Sequence, residues 1–202
     1  MVSSRQIPVA GLELTVYGLD EYVPQTPVAV MFALHGRLEK KASIQHVAEA
    51  MCSLNDKKSS GKRHLIVVAF DQPNHGTRQL HRLSNFAWKE GRHANPTHAQ
   101  DMWSFFYSSA QTISLLIDIF ESYLFGPLPR SIVQAWGVIG FSMGGHATYM
   151  AAAMGKLSLN EKEETRILTV VTRSSYLGGD SCGGHCQLPR PDEATCCEPG
   201  SQ

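Results

Sequence analysis

Apolar positions along the chain follow three patterns, and each predicts a type of secondary structure. Four short, nearly continuous apolar runs are typical of strands buried on both faces of a parallel sheet: Val28 to Leu34, Leu65 to Phe70, Ala135 to Phe141 and Arg166 to Val171. Spacings of three and four residues predict helices from about Ser43 to Met51, from Thr97 to Leu124 and from Gly144 to about Leu157. Leu12 to Tyr17 alternates apolar and polar residues, which predicts the second strand of an N-terminal hairpin.

The alternation of strands and helices predicts an α/β fold. We expect a three-layer α/β/α sandwich with a mostly parallel, doubly wound sheet, because parallel strands need crossover helices. We assign residues 1–173 to this core and 174–202 to an irregular tail rich in Cys, Gly and Pro. Gly76 to Pro96 has no clear period and is interpreted as an excursion over the sheet. The aromatic residues of the longest helix are expected in the core: Trp103, Phe105, Phe106 and Tyr107.

Composition and charge exclude several classes of partner. The chain has 18 Lys and Arg against 18 Asp and Glu, so it lacks the basic surface expected of a protein that binds nucleic acid or an anionic membrane. No apolar run approaches the roughly 18 residues of a membrane span, and the polar start does not resemble a signal peptide. We therefore expect a cytoplasmic protein without nucleic-acid or membrane partners.

One glycine-flanked serine lies where a predicted strand meets a predicted helix. The segment is Gly140-Phe141-Ser142-Met143-Gly144-Gly145, and this G-x-S-x-G pattern is the nucleophile elbow in a strand–turn–helix context. Such a turn is strained and crowded, so only small residues fit two positions before and after the serine. Ser142 is therefore the predicted nucleophile.

Two backbone N–H groups are candidates for an oxyanion hole beside Ser142. One belongs to Met143, the residue after the nucleophile, and the other to Gly36 or Arg37 in the turn that follows the first long strand. Asp71 and His75 follow the next strand, and we favour a loop-stabilising role for them over a catalytic one.

The histidines of the central segment do not predict a metal site. His93, His98 and His146 lack any common metal-binding spacing, so no metal is predicted. The cysteines and His185 of the tail match no common zinc module either.

These motifs together resemble the α/β-hydrolase superfamily over about Leu12 to Val171. The resemblance rests on His35-Gly36, on Asp71-Gln72-Pro73-Asn74-His75-Gly76-Thr77-Arg78 and on the serine elbow, and the combination is similar to fungal members. It implies a serine hydrolase that forms an acyl-enzyme on ester-like bonds, with a small-molecule acyl substrate and no cofactor. An acid and then a histidine should follow the serine.

The sequence after Ser142 departs from that pattern. Sixty residues follow the serine, whereas a full domain needs roughly 100 or more for further βα units of about 30 residues each, so we expect a C-terminally truncated domain. Asp180 and His185 have the correct order for acid and base, but they lie five residues apart in the irregular tail. Activity is therefore expected to be weak or absent if they do not complete the triad.

Three hypotheses follow from the sequence. The leading one is a serine hydrolase, and acyl transfer to an acceptor other than water would use the same residues. The alternative is a non-catalytic hydrolase remnant or a protein that binds a ligand or partner. An exposed strand near Val171 would need an oligomer or a partner to cover the open edge of the sheet.

Overall fold

The computed structural model describes residues 2–56, 63–127 and 130–154, together with the backbone of 166–172. Its strands are β1 (Ser4–Val9), β2 (Leu12–Tyr17), β3 (Val28–Leu34), β4 (His64–Ala69), β5 (Lys89–Glu90), β6 (His93–Ala94), β7 (Val133–Phe141) and β8 (Arg166–Thr172). Its α-helices are α1 (Gln45–Cys52), α2 (His98–Phe125) and α3 (Met143–Met154). The proposed tail, 174–202, lies outside the described residues.

Six of the described strands form one mixed sheet in the order β1-β2-β4-β3-β7-β8. The pairs β1–β2 and β2–β4 are antiparallel, whereas β4, β3, β7 and β8 run parallel to one another. Leu34 at the end of β3 pairs with Gly140 near the end of β7. The carboxyl ends of the parallel strands therefore meet at one edge, where sites of this fold class form.

Helices cover both faces of this sheet, so the predicted α/β class with three layers is confirmed. Side chains alternate along β3: Phe32 belongs to a core cluster with residues of α2 and α3, whereas Met31 and Ala33 pack in a second cluster with Ala48 of α1. Burial on both faces explains why β3 is apolar at every position.

The prediction that all four aromatic residues of α2 lie in the core is wrong for two of them. Trp103 is 59% exposed and Tyr107 is 42% exposed, whereas Phe105 is buried. A residue two positions away is turned by about 200° on a helix, so Trp103 and Tyr107 lie opposite the stripe that Phe105 begins. That stripe continues through Ser109, Ile113, Leu116 and Phe120.

Residues 76–96 form the predicted excursion between β4 and α2. It contains 3₁₀ turns at Gly76–Arg78 and Arg82–Asn85 and a small hairpin of β5 and β6. In the residues that the structure describes, no helix combines the length and apolarity needed to cross a membrane.

Candidate active site

Ser142 is the one residue between the end of β7 at Phe141 and the start of α3 at Met143. Its φ is 49°, in the left-handed region that L-residues other than glycine rarely adopt. The residue is exposed, whereas Met143, Gly144 and Gly145 after it are buried. The chain therefore holds a strained serine at the surface, at the carboxyl edge of the sheet.

The two flanking glycines are required by the close approach of neighbouring backbone. A Cβ at Gly144 would lie 2.6 Å from Leu34 O and 2.7 Å from His35 O. A Cβ at Gly140 would overlap the Gly144 carbonyl and lie 2.7 Å from Gly145 N. All three distances are shorter than van der Waals contact, so the predicted demand for small residues is confirmed at both positions.

The sheet order and this strained serine turn decide the fold. The described part of the chain has the α/β-hydrolase fold. No protein-family model and no curated protein sequence matches the chain. The similarity to fungal members therefore stays a prediction.

Solved structures give several matches to this α/β-hydrolase fold. TT1662 from Thermus thermophilus matches with a TM-score of 0.45 and 18% identity, over 74% of this chain and 51% of that one. The epoxide hydrolase VrEH1 from Vigna radiata has a TM-score of 0.40 and 15% identity, over 76% of this chain and 36% of that one. A cold-adapted esterase from an Arctic intertidal metagenomic library has a TM-score of 0.47 and 15% identity, over 82% of this chain and 70% of that one. The chain thus spans about half of the first protein and about a third of the second, and none of these likenesses transfers a reaction to it.

The two predicted oxyanion-hole residues lie on neighbouring elements. Met143 begins α3, and the first N–H groups of a helix have no acceptor within the helix. Gly36 follows β3, and its N–H donates to Glu39 Oε2 at 2.9 Å. The first turn of α3 packs against the carbonyls of Leu34 and His35, which brings the two loops into contact. In this conformation, the Gly36 N–H already donates its hydrogen bond to the Glu39 carboxylate.

His35 is fully buried and braces the ends of β3 and β4. Its Nδ1 donates to Gly36 O at 2.8 Å, because a carbonyl can only accept, and its Nε2 accepts the Gln72 N–H at 3.0 Å. The Gln72 side-chain amide donates back to His35 O at 2.5 Å. Burial lowers the pKa of His35 to about 4. His35 is therefore a neutral structural residue with no free ring nitrogen for proton transfer.

Asp71 organises the loop after β4, in agreement with the loop-stabilising role favoured from the sequence. Its carboxylate accepts the Lys41 N–H at 2.7 Å, and the Thr77 N–H and hydroxyl at 2.9 Å each. Burial alone would raise the pKa of Asp71, but these hydrogen bonds from Lys41 and Thr77 outweigh it and lower the pKa. Asp71 is therefore an ionised link between the loops that follow β3 and β4.

His75 is 2% exposed and lies against His35 and Phe105, with ring centroids 5.4 and 5.7 Å away. Its Nδ1 donates to Pro73 O at 2.8 Å, while Nε2 has no partner among the described residues. Burial lowers the pKa of His75 and so favours its neutral form. Sequence reasoning gave no sign of this buried, half-satisfied ring.

No side chain in the described ranges hydrogen-bonds to the hydroxyl of Ser142. His146, four residues further on, bonds through Nδ1 to the Ser142 carbonyl oxygen at 3.0 Å and stacks on Phe106 with centroids 5.0 Å apart. The i, i+4 spacing of a helix start could have revealed this contact. The predicted acid and base, Asp180 and His185, lie outside the described residues.

A cleft of about 490 Å³ opens between the loop after β3 and the excursion after β4. Its lining includes Glu39, Lys40, His75, Arg82 and Phe86. The guanidinium of Arg82 lies 5.9 Å from the centroid of the Phe86 ring. This volume is in the usual range for small-molecule sites, and Glu39 connects the cleft to the Gly36 N–H.

Proposed function

We propose that the protein is a serine hydrolase in which Ser142 attacks ester-like bonds of a small-molecule acyl substrate. The observation that carries this proposal is the left-handed φ of an exposed serine between β7 and α3. A strained backbone persists only where the surroundings enforce it, and such strain is concentrated at functional sites. Gly140 and Gly144, which tolerate no Cβ, show how strongly the surroundings enforce it here.

The proposed reaction assigns a task to each group. Ser142 Oγ bonds to the acyl carbon and loses its proton to a base, and the alcohol leaves with a proton from that base. The N–H groups of Met143 and Gly36 donate to the oxyanion of the tetrahedral intermediate. After Val171, the sequence offers one histidine, His185, as base, with Asp180 as the acid that orients it.

Covalent labelling and ester turnover test the proposal together. We expect a fluorophosphonate probe to label the wild type, and the wild type to hydrolyse p-nitrophenyl acetate. Ser142→Ala should lose both activities, whereas Ser104→Ala, a control at an exposed serine of α2, should keep both. His185→Ala should lose labelling if this residue is the base. A folded wild type with neither activity would refute a catalytic Ser142.

A second candidate is a non-catalytic protein that uses the same fold to bind a ligand or partner. The observation that favours it is the Glu39 carboxylate on the Gly36 N–H, which leaves an oxyanion only one predicted donor in this conformation. For this candidate, Ser142→Ala would leave ligand or partner binding unchanged, and a cooperatively folding wild type would show no ester turnover. Turnover that depends on Ser142 would exclude it.

A further inference from the structure

Residues 36–39 form a tight turn that begins at the proposed oxyanion donor. The Glu39 N–H donates to Gly36 O at 3.3 Å, which closes a four-residue β-turn. Leu38, the third residue of this turn, has a φ of 66°. Glycine or asparagine is usual where a turn requires a positive φ, because a bulky side chain is strained there. Leu38 is 47% exposed, so burial does little to hold it in this conformation.

The Glu39 side chain folds back over the start of the same turn. Its Oε2 accepts the Gly36 N–H at 2.9 Å and would lie 3.2 Å from a Cβ built on Gly36. Hydrogen bonds to a carboxylate are stronger than those between neutral groups, so this contact offsets part of the strain at Leu38. The Glu39 carboxylate thus occupies the N–H group that the proposed function assigns to the oxyanion.

The cleft beside this turn offers the Glu39 carboxylate a second position. Glu39 lines the cleft together with Lys40 and Arg82. In the part of the chain that the structure describes, neither Lys40 nor Arg82 forms an ion pair with a carboxylate. Glu39 is exposed, so its side chain can turn toward these cations without disturbing the core.

We propose that Glu39 is an autoinhibitory cover of the oxyanion hole, which an incoming acyl or carboxylate oxygen displaces from the Gly36 N–H into the cleft beside Lys40 and Arg82. The inhibitory meaning of this contact rests on the proposed function, because it assumes that Gly36 serves as an oxyanion donor. The competition itself is a property of the turn and does not require a reactive Ser142.

Acetate binding, followed by NMR, tests the competition without any turnover. In the wild type, acetate must replace the Glu39 carboxylate at the Gly36 N–H, and that hydrogen bond contributes about 1 kcal/mol, which corresponds to about fivefold in a binding constant. Acetate should therefore shift the Gly36 amide resonance of Glu39→Ala at about fivefold lower concentration than that of the wild type. Glu49→Ala, which removes an acidic residue of α1, should behave like the wild type. Equal responses in wild type and Glu39→Ala, or no response in either, would overturn the proposal.

A second variant should act in the opposite direction. Leu38→Gly relieves the strain of the closed turn, so it should stabilise the contact between Glu39 and Gly36 and weaken acetate binding several-fold. Leu80→Gly, a control at a fully exposed loop leucine, should leave acetate binding unchanged. Stronger acetate binding by Leu38→Gly would contradict a strained, closed turn.

Ester turnover separates failure of this proposal from failure of the hydrolase proposal. With an active Ser142, kcat/KM for p-nitrophenyl acetate should rise in Glu39→Ala and fall in Leu38→Gly. If the protein shows no turnover while acetate still distinguishes the variants, Glu39 covers the donor but Ser142 is not a nucleophile. If turnover is present and Glu39→Ala does not change it, the cover is not inhibitory.

Discussion

Replacement of Ser142 by glycine should give a more stable protein than replacement by alanine, although both changes remove the proposed nucleophile. The φ of 49° costs an L-residue about 1–2 kcal/mol, and glycine avoids this cost. Glycine also adds conformational entropy to the unfolded chain, which takes back about 0.4–1 kcal/mol. Relative to Ser142→Ala, which removes the hydroxyl and keeps the strain, we expect Ser142→Gly to raise the free energy of unfolding by roughly 0.5–1 kcal/mol.

Urea and thermal unfolding of the two variants measure this difference. For a chain of this size, about 1 kcal/mol corresponds to a change in Tm of about 2–4 °C, which is well within reach of circular dichroism. Ala153→Gly is the matched control: it lies at an exposed position in the last turn of α3, where glycine should not add stability, because it is a poor helix former. If Ser142→Gly is less stable than Ser142→Ala, the turn is not strained and the reasoning from φ to function fails.

Three further predictions concern the elbow and the loops that follow β3 and β4. Gly144→Ala places a Cβ 2.6 Å from Leu34 O and should cost about 1–3 kcal/mol of unfolding free energy in urea titrations; an unchanged midpoint would contradict the crowding. The pKa of His35 in the folded state is about 4, below the ordinary value of 6.5, so its contribution to stability is complete above pH 6.5 and is lost as the pH falls toward 4. That contribution amounts to about 3 kcal/mol at most, and an NMR titration of the His35 ring with a midpoint near 6.5 would refute it. Asp71→Asn replaces a carboxylate that accepts three hydrogen bonds and should lower the free energy of unfolding by about 1–3 kcal/mol at pH 7. Because the lowered pKa of Asp71 stabilises the fold above pH 4, this difference should shrink on acidification. A difference that stays constant with pH would contradict the prediction.

Periodicity predicts the elements that are buried on both faces or along one stripe. β3, β4, β7 and α2 all occur within two residues of their predicted bounds, because continuous burial leaves a long apolar signal. The hairpin of β5 and β6 is too short to leave such a signal. The exposure of Trp103 could not be predicted, because the presence of an aromatic residue does not show which side of its helix faces the core.

The elbow could be predicted because its demands are local. A strand, a serine and two glycines within a few residues specify the crowded turn. The contacts of His35 with Gln72 and of Gly36 with Glu39 could not be predicted. They depend on loop conformations that residue types do not determine, such as the positive φ of Leu38.

Peptide mapping by mass spectrometry after exposure of the full chain to a fluorophosphonate tests the central claim most directly. Our account predicts one phosphonyl adduct per chain, on the peptide that carries Ser142, with its yield reduced to background in Ser142→Ala. The same treatment should leave Ser104 unmodified. A folded chain without an adduct at Ser142, or with its adduct on another residue, would contradict the assignment of Ser142 as the nucleophile.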